Sequence, residues 1–160
     1  LAQVPGRTAA VCRPGASPTI VTEADVRDAP VIGRLDEVGA WFYEADRAVV
    51  RAGLSGALPG RELAAGVGYA TGSEPIDLPW ARQYAVVEAM PLRVKAVRAW
   101  LRARGIGRVT VKKRGASVDP EALRRELTTR AEGHATLVVT SVAGHPVAIV
   151  VDAAVSATGV

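Results

Sequence analysis

The stretch LRVKAVRAWLRAR (92–104), GIGRVTVKKRG (105–115), SVDPEALRRELTTRA (117–131) and ATLVVTSVAGHPVAIVV (135–151) decides the fold. Between Leu92 and Arg104, Val94, Val97, Trp100 and Leu101 share one face of a 3.6-residue period, and Lys95, Arg98 and Arg102 share another. An amphipathic helix follows, and Gly105 is a natural stop for it. From Arg108 to Lys113 the period drops to two, with Val109 and Val111 against Thr110 and Lys112, as in a half-buried strand. Asp119-Pro120 then supplies an N-cap and a first-turn proline for a helix running to about Ala131, with Leu123 and Leu127 as its buried pair. Two Val-rich runs joined by Ala143-Gly144-His145 read as a hairpin, and their nearly unbroken apolar character implies cover on both faces. With Tyr84–Ala89 as a preceding strand, the order is β-α-β-α-β-β, an α+β sandwich of the ferredoxin-like or KH-like kind.

Working back towards the amino terminus, TAAVC and PTIVTE flank a Pro/Gly turn, Arg13 to Ser17, and read as a hairpin. DAPVIGRL carries Pro30 and Gly33 and reads as a linker. In WFYEADRAVVRAGLSGAL, Ala48, Val49, Ala52 and Leu58 approximate helical spacing with Asp46 at the start, while Trp41, Phe42 and Tyr43 pack the linker onto the body. A short helical or irregular piece spans Arg61 to Gly68, and GYATGSEP follows as a strand end and loop. The expected division is 1–40 as linker hairpin or the end of an upstream domain, 41–152 as one α/β domain, and 153–160 as a disordered tail. Leu1 stands where an initiator Met would, so the chain is expected to be a piece of something longer.

Apolar residues make up 49% of the 160, enough for one folded core. The formal charge of +4 is modest, but between Glu88 and Asp119 there is no acid at all. That interval holds nine of the twenty basic residues, so the rest of the chain has 11 basic against 16 acidic and is net −5. Exposed helices ordinarily mix signs to form i,i+4 pairs; this one does not. The pattern fits one basic face meeting a polyanion, with Lys95, Arg98, Arg102, Arg108, Lys112, Lys113 and Arg114 as candidate nucleic-acid contacts. The helix row and the strand end are expected to converge. On that expectation, reversing Lys112 and Lys113 weakens RNA binding with folding intact, and reversing Arg7 and Arg13 does little. Gly107 and Gly115 would let backbone amides approach a phosphate.

Catalytic signals are mostly absent. A methyl donor or dinucleotide needs a glycine-rich turn from strand to helix, and the nearest approximation, Gly66-Val67-Gly68, runs into Tyr69 and a turn. His134 and His145 read as turn residues, and the acidic pairs, Glu44 and Asp46 among them, as surface charge or helix-start residues. No catalytic residue, metal site or cofactor is therefore assigned within the chain. Cys12 is the only cysteine, which excludes an internal disulfide, and no apolar run reaches 18 residues, so a cytoplasmic protein without membrane contact is expected. Aromatic residues are few, so shape and phosphate recognition of structured RNA is favoured over reading of individual bases.

The blocks WFYEADRAVVRAGL, GYATGSEP, MPLRVKAVRAWLRARGIGRVTVKKRGASVDPEALRRELTTR and TLVVTSVAGHPVAIVV together resemble the THUMP-like carboxy-terminal region of bacterial class I S-adenosylmethionine-dependent methyltransferases. The resemblance spans Trp41 to Val151 and is most specific from Arg104 to Leu123. It implies a module that holds an RNA substrate, tRNA or rRNA, beside an upstream methyltransferase domain, with S-adenosylmethionine as the cofactor of the parent enzyme. The alternative is a structural or homodimerising module whose Val-rich strands supply the interface.

Overall fold

A computed structural model describes residues 6–153. Its strands are β1 (Thr8–Val11), β2 (Thr19–Thr22), β3 (Trp41–Ala45), β4 (Arg61–Glu62), β5 (Tyr69–Gly72), β6 (Ala81–Pro91), β7 (Ile106–Lys113), β8 (Gly133–Val142) and β9 (His145–Ala153). The helices are α1 (Arg47–Arg51), α2 (Val94–Ala103) and α3 (Pro120–Leu127). Strands β1 and β2 form a hairpin; the other seven make one sheet in the order β4-β5-β3-β6-β9-β8-β7. The pairings are antiparallel except β7 with β8.

From β6 onward the order is the β-α-β-α-β-β read in the sequence, in an α+β fold. Parallel β7 and β8 need a crossover, and α3 provides it. Asp119 caps that helix, its side chain accepting from the Glu121 and Ala122 amides at 3.0 and 3.4 Å, and Leu123 and Leu127 are buried beneath it. Gly105 ends α2 at φ 67°, where a Cβ would be strained. The β8–β9 turn has Ala143 at φ 49° and Gly144 at φ 79°, the two left-handed residues of a tight hairpin. Strand β9 slots between β6 and β8, so Val147 to Val151 are all buried, as the unbroken apolar run requires. The Val-rich strands are thus enclosed in the chain's own cores, and the dimer interface expected of them in the alternative reading has no exposed valine face there.

Three apolar clusters divide the two faces of this sheet. Helices α2 and α3 cover one face through Val97, Leu101, Leu123 and Leu127, packed on Val109, Leu137 and Val150. On the other face of β8 and β9, Val138, Ile149 and Val151 meet Phe42, Tyr69 and Tyr84. Beyond β3, the hairpin residues Ala9, Val11 and Val21 pack with Tyr43, Ala45 and Val49. The sheet curls around the middle cluster until its last strand meets β3 from across the core. Lys112 of β7 pairs with Glu44 of β3 although three strands lie between them in the sheet. The closure is made by side chains, with no backbone pairing between β7 and β3.

Several expectations need correction. Trp41 to Ala45 is an interior strand and not a linker contact, because Phe42 and Glu44 face one buried side and Tyr43 and Ala45 the other. Helical spacing begins only after Asp46, whose carboxylate accepts from the Ala48 amide at 2.9 Å. The 61–68 piece contains β4 and turns, and β6 extends past both ends of Tyr84–Ala89. Within the stretch read as linker, Ile32 is buried and donates its amide to the Glu62 carbonyl at 3.0 Å. The expected tail loses Ala153 to β9, and residues 154–160 lie outside the described range. Among the described residues no helix is long and apolar enough to cross a membrane.

Candidate nucleic-acid interface

Alternation along β7 separates the residues that the sequence groups together. Val109 and Val111 pack with the helices, whereas Thr110 and Lys112 point to the opposite side. Lys112 Nζ donates to both Glu44 oxygens at 3.1 Å and lies 5.6 Å from the Tyr84 ring centre. The Lys112 and Glu44 side chains are only 26% and 11% exposed. Glu44 is therefore not the solvated surface acid expected, nor Lys112 a freely exposed cation. Arg114 donates to the Ala45 and Gly68 carbonyls at 3.1 and 3.4 Å, with its guanidinium 5.0 Å from the Tyr69 ring centre. Lys113, between them, is exposed.

The helix row does not join this group. Lys95 and Arg102 are exposed on α2, and Arg98 turns onto the end of α3, donating to the Glu126 carbonyl at 2.9 Å. That contact places a cation on an orphan carbonyl at the negative end of the helix. Arg108 donates to the Glu132 carbonyl at 3.3 Å. Gly107 is explained by packing, since a Cβ there would stand 2.0 Å from the Ala131 carbonyl oxygen. The expected convergence of helix row and strand end is not what the fold produces, because α2 and the Lys112 side chain lie on opposite faces of the sheet.

A different set converges. Where β7 closes onto β3, a cleft of about 600 Å³ is lined by Arg13, Arg47, Arg82, Lys112, Lys113 and Arg114. Two carboxylates, Glu44 and Asp46, also line it, leaving four positive charges in excess. Both carboxylates are engaged, Glu44 by Lys112 and Asp46 by the α1 amide. Among the described residues Arg47, Arg82 and Lys113 make no side-chain ion pair or hydrogen bond. Arg13 is anchored by donation to the Pro79 carbonyl at 2.8 Å. Trp80 and Tyr69 form the aromatic part of the wall. Burial first, and then the nearby Glu44 charge, push the Tyr69 hydroxyl well above its ordinary range, so it stays neutral.

Arg13, expected to lie outside the basic region, is thus one of the cleft's walls. Arg47 and Arg82 carry no mark in the linear pattern. Arg82 reaches the cleft because it is the register partner of Glu44, and Arg47 because it opens the helix capped by Asp46. The side chains lining this cleft thus carry a net positive charge, six cations against two carboxylates.

A family described as THUMP domain-like matches residues 81–153. The match covers 73 of the chain's 160 residues. The THUMP-like segment supplies Arg82 and Lys112–Arg114, whereas Arg13, Glu44, Asp46 and Arg47 come from chain before it, so the cleft is built across its boundary. Two strains of Mycobacterium tuberculosis carry uncharacterized S-adenosylmethionine-dependent methyltransferases that are 35% identical to this chain over 109 residues. That alignment covers 65% of this chain and 30% of each relative, so the chain spans under a third of their length. In fold, the chain is similar to a crystal structure of a candidate methyltransferase from Porphyromonas gingivalis W83, with a TM-score of 0.68 at 19% identity. The match covers 90% of this chain and 36% of that one, so the shared fold extends well beyond the THUMP-like segment.

Among the described residues, the glycine turn read in the sequence as the nearest approximation to a methyl-donor loop does not have that loop's form. Gly66-Val67-Gly68 leads into β5 and not into a helix, so it does not form a strand-turn-helix cradle. Among the described residues no group of three His, Cys, Asp or Glu is placed to hold a metal ion.

Proposed function

We propose that this chain is the RNA-holding accessory portion of an S-adenosylmethionine-dependent methyltransferase, and that RNA phosphates seat in the cationic cleft between β7 and β3. The observation that carries the reading is the cleft itself, in which Arg47, Arg82 and Lys113 converge without acidic partners. Lys112 and Arg114 support the cleft's walls, and Arg13 extends its charge. Lys95, Arg98, Arg102 and Arg108 do not line it. They form an outlying basic surface of lesser effect. The methyl donor and the catalytic residues belong to the remaining length of the parent protein, whose methyltransferase domain is the chain's covalent partner. A structured tRNA or rRNA is the substrate class, in the cytoplasm.

The test is titration of a structured RNA at several salt concentrations. Three phosphates neutralised by the three unpaired cations give a log–log slope of roughly −2 to −3. Binding that is absent, or that does not change with salt, would overturn the reading.

A further inference from the structure

Beside the cationic cleft lies a second cavity of about 460 Å³, lined by Val50, Val67, Gly66 and Gly115 with Arg47, Arg51 and Arg114 around them. Its character is the reverse of the first: aliphatic walls edged by guanidinium groups. Arg47 and Arg114 line both cavities, so the two abut. We propose that the pair is a nucleotide site, the cleft taking a backbone phosphate and the apolar slot taking the adjoining base of a single-stranded segment. The inference rests on the RNA reading above and adds that a base leaves its stack to bind.

Three features support a base as the occupant. The volume lies within the ~300–1,000 Å³ typical of small-molecule sites. One guanidinium nitrogen of Arg114 donates to the Ala45 and Gly68 carbonyls and the group lies 5.0 Å from the Tyr69 ring centre, so it is anchored before any ligand arrives. Guanidinium planes stack on bases, which offsets the lack of aromatic residues in the slot walls. Gly115, at φ 70°, keeps the slot open, because a Cβ there would stand 3.0 Å from Val67 Cγ2. A free phosphate or a duplex backbone would use the cleft and leave the slot empty. A single-stranded nucleotide satisfies both.

The experiment compares four probes on the whole chain: a short single-stranded oligoribonucleotide, the same strand in a duplex, a ribose-phosphate oligomer of equal length without bases, and a free nucleoside monophosphate as competitor. The single strand should bind about tenfold tighter than the base-free oligomer or the duplex, as base contacts of this kind give. Val67→Asn, which changes no charge, should remove that preference while leaving the base-free affinity in place, with a melting curve as the check on folding. Equal binding of the single strand, duplex and base-free oligomer to the unaltered chain would overturn the slot and leave the RNA reading standing. Displacement of the strand by nucleoside monophosphate at concentrations near the strand's own Kd would assign the site to a free nucleotide and overturn the strand. If no probe binds, the RNA reading fails and takes the inference with it.

Discussion

Lys112 Nζ stands 3.1 Å from both oxygens of a glutamate that is nearly buried, while its neighbour Lys113 is exposed. Exposed ion pairs contribute ~0–1 kcal/mol, and breaking a fully buried one costs about 3–5 kcal/mol. A pair with this intermediate exposure should fall between, so Lys112→Ala is expected to destabilise by about 2 kcal/mol, read from the urea midpoint. Lys113→Ala should leave the midpoint in place. Equal midpoints for the two variants would mean that the Lys112–Glu44 contact does not hold the sheet closed. This pair also corrects the expectation that Lys112 could be reversed without harm to folding, and no sequence signal exposes it, because 68 residues separate the partners. Asp119 is the opposite case, legible from its neighbour Pro120 and the periodic leucines alone. Asp119→Ala should cost about 1 kcal/mol through loss of the cap, and an unchanged midpoint would contradict that.

At the level of elements, local rules located α2, β7, the closing hairpin and the start of α3, because each carries a clean period and its own punctuation; α3 ends at Leu127 and not at about Ala131, where Thr128 turns extended. Trp41 to Ala45 escaped them: a strand buried on both faces has no alternation, and the helix behind Asp46 pulled its reading towards helical spacing. The β8–β9 turn contains a further testable detail. Ala143 holds a left-handed conformation that Asn tolerates better, so Ala143→Asn should stabilise by about 0.5–1 kcal/mol. A lower midpoint would show that Ala143 is held there by packing. The 30–37 segment is fastened to β4 by Arg61, which donates to the Pro30 and Val31 carbonyls and pairs with Glu37 at 2.8 Å. The Arg61 contact, with the Gly33 and Arg34 amides, holds the Glu37 carboxyl below its ordinary range. A depressed carboxyl contributes stability above its unfolded value of ~4.3 and loses it as pH falls through the folded value. Melting temperature should therefore fall below that pH, and Glu37→Gln should flatten the fall; identical profiles would refute the fastening.

On the scale of the whole molecule, the candidate site arises from curvature. A sheet that twists and coils brings its last strand back to β3, and only then do Arg13, Arg47 and Arg82 meet Lys112–Arg114. The acid-free interval from 89 to 118 pointed to half of this group. The rest was hidden because three-dimensional closure, and not spacing, assembles it, and because the helix row that looked most regular in the sequence lies across the sheet. The most direct measurement is an RNA titration, at two salt concentrations, of Arg82→Ala/Lys113→Ala beside Lys95→Ala/Arg102→Ala. All four residues are exposed, so neither double variant should alter folding. The cleft variant should lose more than about tenfold in affinity, with its salt slope smaller by roughly 2, while the helix variant stays within about threefold of the unaltered chain. Equal losses in both, or a larger loss in the helix variant, would contradict the placement of the RNA site in the cleft.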